Sequence, residues 1–117
     1  MDITWLGDSS FKINDELIDV LVNPKTKTFD KSSITENTIF VNTDSSDDIE
    51  NKQTRVESPG EYEISNASIH GVANSVIKDQ DRSISTCYRI ESRGLSVAVI
   101  GKIGSQLDSE ALSVLSS

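Results

Sequence analysis

Asp44, Asp47, Asp48 and Glu50 crowd into a stretch, Phe40-Val-Asn-Thr-Asp-Ser-Ser-Asp-Asp48, that opens as an apolar run and breaks into carboxylates. Oxygen donors of this kind suit a hard cation such as Ca²⁺ or Mg²⁺. The stretch lacks the spaced loop, the turn glycine and the distant bidentate Glu that make an EF-hand specific. Weak cation binding and ordinary solvated surface are the two readings these residues allow by themselves.

Other reactive groups are sparse. The one histidine, His70, cannot build a zinc site alone and reads as a strand-end or surface residue. Cys87 permits no internal disulfide and sits in an alternating apolar run, where a lone thiol behaves as a buried small hydrophobe. Ser9 and Ser10 follow Asp8, but without an imidazole base this is turn chemistry rather than a nucleophile. No Gly-rich phosphate loop leads into Lys-Ser/Thr, and there is no GxSxG elbow.

The elements that must position these groups belong to one small domain, residues 1–117, with a modest core. The net charge of −8 argues against nucleic acid as a partner, because phosphate binding relies on clustered Lys and Arg. The basic cluster Lys25, Lys27 and Lys31 is interrupted by Asp30 and has no interleaved aromatic platform. No apolar run reaches the roughly 18 residues of a membrane span, and Met1-Asp-Ile-Thr4 lacks a signal-peptide opening, so no membrane partner and a cytoplasmic location are expected.

Alternation predicts strands at 2–6, around Phe11 and Ile13, and at 17–22, a meander punctuated by Gly7-Asp8-Ser9 and Asn14-Asp15. Residues 25–37 read as a loop with at most one irregular turn. The run 38–42 reads as a strand buried on both faces, and Asp47–Lys52 as one helical turn at most. Pro59-Gly60 is a strong turn signal before a strand at 61–64, and Ser65-Asn66 turns into another at 67–72. Residues 73–82 read as a polar loop, followed by a hairpin in which Ile84, Thr86, Tyr88 and Ile90 share a face and Ser92-Arg-Gly94 turns into Leu95–Ile100. The tail changes period: Asp108 can cap a helix over 109–115, Leu107 can staple onto Leu112, and Leu112 with Leu115 forms the expected buried stripe.

Three stretches resemble the metallo-β-lactamase fold, in particular its small cytoplasmic hydrolase-like branch. They are Ile3-Thr-Trp-Leu-Gly-Asp-Ser-Ser-Phe11, similar to a strand, GHS and strand opening; Ser58-Pro-Gly-Glu-Tyr-Glu-Ile64, similar to the PGEYE turn; and Leu95–Leu112, similar to a strand, GDLGH and a capped helix. Asn23-Pro24 falls where that branch carries Asp-Pro. The resemblance spans nearly the whole chain but only about the first half of such a domain. It implies an α+β architecture: half of a layered αββα fold, mostly antiparallel strands with a C-terminal helix.

Metal-carrying members hold Zn²⁺ in an HxHxDH loop after a buried strand, where bound water becomes a nucleophile. Laid on that loop, the ligand positions are Thr43, Ser45, Asp47 and Asp48, and only Asp47 retains the family's residue type. The later positions fall near Val76, at Lys102 in place of the bridging Asp, and at Ser105. An ammonium at Lys102 has no lone pair to offer and opposes a cation by charge. The resemblance therefore implies a metal-free, catalytically inactive relative with no cofactor, kept as a binding or assembly module. In the vacated site, an ion pair of Lys102 with Asp47 or Asp48 could replace the metal as internal counter-charge. An enzyme with acid–base chemistry relocated to Asp47, Asp48 and Lys102 is the alternative, and a fragment without activity of its own is a third reading. Half a layered fold should also leave an apolar sheet face, which predicts a homodimer or a protein complex.

Overall fold

The computed structural model describes residues 1–78, 81–102 and 107–117. The expected meander is present as β1 (Asp2–Gly7), β2 (Ser10–Asn14) and β3 (Asp19–Val22), paired antiparallel in sequence. Gly7 and Asp8, with φ of 111° and 48°, turn β1 into β2. The Asp15 carboxylate accepts from the amides of Leu17 and Ile18 to close the next turn. The long polar segment that follows contains one 3₁₀ turn, Lys31–Ser33, capped by Asp30. β4 (Ile39–Val41) and β5 (Thr54–Val56) then add parallel to β3, giving a sheet of order β1-β2-β3-β4-β5. All three residues of β4 are buried, as a run apolar on both faces requires.

The second sheet is a continuous antiparallel meander of β6 (Gly60–Ile64), β7 (Ala67–Lys78), β8 (Asp81–Ser92) and β9 (Leu95–Val99). Its short turns at Ser65-Asn66 and Arg93-Gly94 have positive φ at both central residues, the backbone twist that suits a tight hairpin. One expectation is corrected here: residues 73–78 and 81–82 are strand, not loop, and extend β7 and β8 into a long hairpin. The segment reads as loop because it is polar, yet Asn74 and Ser75 find partners at the start of the helix. Buried Asn74 accepts from the Asp108 amide at 2.8 Å, and the Ser75 amide donates to the Asp108 carboxylate at 2.8 Å.

That second contact also corrects the helix cap. Asp108 is the N-cap of α1 (Ser109–Ser116), but its carboxylate is spent on β7 and makes no hydrogen bond to the first turn. The helix lies on the outer face of the second sheet through Ala111, with Leu107, Val114 and Leu115 against Val72 and Cys87. Leu112 is 55% exposed, so the buried stripe runs through Ala111 rather than Leu112; the short alanine side chain lets the helix sit close to the strands. Arg89 Nη1 donates to the Ser117 carbonyl at 2.8 Å, tying down the negative end of the helix.

The two sheets pack face to face around Ile13, Val20, Val22, Ile39, Val41 and Val56 from one and Ala67, Ile69, Tyr88 and Ile90 from the other. The sandwich is stitched on its β5–β6 side, where the chain crosses between sheets and buried Tyr88 donates its hydroxyl to the Asn42 carbonyl at 2.8 Å. On the β1–β9 side it is open, and a groove of about 550 Å³ runs between the edges. The outer face of the first sheet is covered by its own loops: Phe29 meets Phe40 edge-on at 5.9 Å. Among the described residues, no helix is long and apolar enough to cross a membrane.

Candidate functional site

β4 delivers its C-terminal residues to one end of the sandwich, where the loops after β1 and β3 and the exit from β9 converge. A cleft of about 280 Å³ there is lined by Ser45, Asp47, Asp48 and Lys102, together with Asn23, Lys25 and Asp44. Thr43 stands behind it, lining the adjoining apolar groove. Val76, matched to a ligand position by sequence offset alone, lines neither cavity; it is buried in β7 opposite Ser83. Ser105 lies outside the described residues.

The floor is held by a polar lattice. Asn23, in the left-handed region at φ 48°, accepts from the Thr43 amide at 2.9 Å, and its Nδ2 donates to Thr43 Oγ1 at 3.1 Å. Thr43 Oγ1 donates to Asp44 at 2.8 Å, and the Thr43 carbonyl accepts from the Thr86 amide at 2.7 Å. Gly101 packs so tightly on this lattice that a Cβ there would stand 2.7 Å from Thr43 Cβ.

Asp47 is turned out of the cleft's chemistry. Its carboxylate takes a two-pronged grip from Arg55, Nε to Oδ2 at 2.8 Å and Nη2 to Oδ1 at 2.9 Å, with only 1% of the Asp47 side chain exposed. Asn42 Nδ2 and the Ile49 amide complete its partners. Burial pushes this acid upward, but the hydrogen bonds from Arg55, Asn42 and Ile49 and the charge of Arg55 outweigh it and hold Asp47 below the usual carboxylate value. The same guanidinium bonds the Ile49 carbonyl and Asn51 Oδ1 and lies 5.0 Å above the Phe40 ring, so one side chain organises the loop from Asp47 to Gln53.

Asp48, exposed, accepts from Thr26, whose hydrogen bonds hold it below the usual carboxylate value as well. Lys102 is exposed; its amide donates to Asp44 Oδ1 at 3.3 Å, while its ammonium pairs with neither Asp47 nor Asp48. The expected Lys102 ion pair is thus corrected: the internal counter-charge to Asp47 is Arg55. Sequence reasoning missed Arg55 because the contact depends on the parallel register that sets Arg55 beside Phe40, which no local pattern reveals. The one available signal was the alternation Arg55-Val56, which puts Arg55 on the face opposite an inward valine.

The donors present do not fit zinc. The chain's single imidazole, His70, lies on β7 facing Glu61 at 3.8 Å, outside the cleft lining. Among the described residues, no group of three or more His, Cys, Asp and Glu side chains is placed to hold a metal ion. The cleft's hydroxyls are poor zinc ligands without imidazole or thiolate beside them.

Comparison with known proteins places the fold. The crystal structure of a protein from Thermotoga maritima, provisionally described as a Zn-dependent hydrolase of the metallo-beta-lactamase superfamily, superposes with a TM-score of 0.69 at 17% identity. The match covers 97% of this chain and 55% of that one, so the chain spans about half that protein's length. No curated protein matches the chain. The family model described as a beta-lactamase superfamily domain matches residues 2–117, and on that match the chain belongs to the beta-lactamase superfamily domain family.

Proposed function

We propose that this chain uses the metallo-β-lactamase fold as a binding or assembly module and does not carry out the zinc hydrolysis of the hydrolases it resembles. The observation that carries the reading is the fate of Asp47. The one position that keeps the family's residue type has both oxygens engaged by Arg55 and has left solvent. Freeing it for a metal would leave a partly buried guanidinium without its partner, which costs several kcal/mol. Replacement of the remaining imidazoles by Thr43, Ser45 and Asp48 supports the same conclusion.

The relocated acid–base reading has one observation in its favour: Asp47, Asp48 and Lys102 border a single cleft. Both carboxylates are held below their usual range, however, which is the wrong direction for a group that must carry a proton near neutral pH. The binding reading is therefore preferred.

The test is titration of the purified chain with Zn²⁺ against a chromophoric chelator, alongside metal analysis after overnight loading and dialysis. The expected outcome is no retained zinc. One zinc per chain, lost in Asp44→Ala and Asp48→Ala, would overturn the proposal.

A further inference from the structure

We draw no further inference here: the strongest candidate, the apolar groove on the β1–β9 side of the sandwich lined by Ile3, Phe11, Val97 and Val99, carries nothing because nothing in the structure shows what covers it.

Discussion

Asp47→Ala is expected to destabilise the fold by about 3–5 kcal/mol, the cost of stranding one member of a buried, hydrogen-bonded ion pair. Arg55 would lose both prongs of its carboxylate contact while still lying over Phe40. Denaturant unfolding measures the loss directly. In a double-mutant cycle, Asp47→Ala and Arg55→Ala together should cost markedly less than the sum of the single changes. Arg55→Lys should recover only part of the stability, since an ammonium keeps the charge but not the planar fork. Additive single effects would mean the pair is incidental.

The pair also fixes the direction of a pH effect. Asp47 is more acidic in the folded chain than when unfolded, so its contribution is complete above the unfolded value of about 4. It is lost as pH falls through the lower folded-state value. Wild-type stability should therefore decline on acidification below about pH 5, and Asp47→Ala should decline less steeply over that interval. Equal slopes would show that other carboxylates dominate.

Gly71→Ala is the second large effect. An added Cβ would stand 2.7 Å from Tyr88 Cε1, 3.0 Å from Cδ1 and 3.2 Å from the Ser58 carbonyl. The ring cannot swing away freely, because it is fully buried and its hydroxyl is anchored to Asn42 O across the sandwich. Overpacking costs about 1–3 kcal/mol, and displacing the hydroxyl adds about 1 kcal/mol. At about 4 °C per kcal/mol for a chain of this length, thermal unfolding should fall by about 8–16 °C. Adding Tyr88→Phe frees the ring tip, so the double variant should lose less than the summed single losses. A Gly71→Ala melting point within 2 °C of wild type would refute the tight contact.

Much of the fold was legible because strands announce themselves locally. The alternation of β1 and β2, the fully apolar β4 and the two-residue turns at Ser65-Asn66 and Arg93-Gly94 are properties of neighbouring residues. Where a polar side chain finds its partner far along the chain, local reading failed. Asn74 and Ser75 looked like loop until Asp108, some 33 residues away, satisfied them. The site was half legible for the same reason. The positions Ser45, Asp47, Asp48 and Lys102 could be placed from the resemblance, and they do share a cleft. The partner that decides what Asp47 does came from the adjacent strand, through a register that only the assembled sheet contains.

The contrast between the two sheets carries a kinetic consequence. In the second sheet every neighbour in space is also the next strand in sequence, so the 67–78/81–92 hairpin and its flanks can zip from adjacent turns with little loop closure. The first sheet is different: β3, β4 and β5 run parallel, and their pairing must wait until residues 23–38 and 42–53 have each been folded back. The loop that bears the cleft is one of those two segments, so its ordering by Arg55 belongs to the late, slow part of folding. The expected reading in hydrogen exchange is that the cleft amides of a destabilised chain open before those of the hairpin.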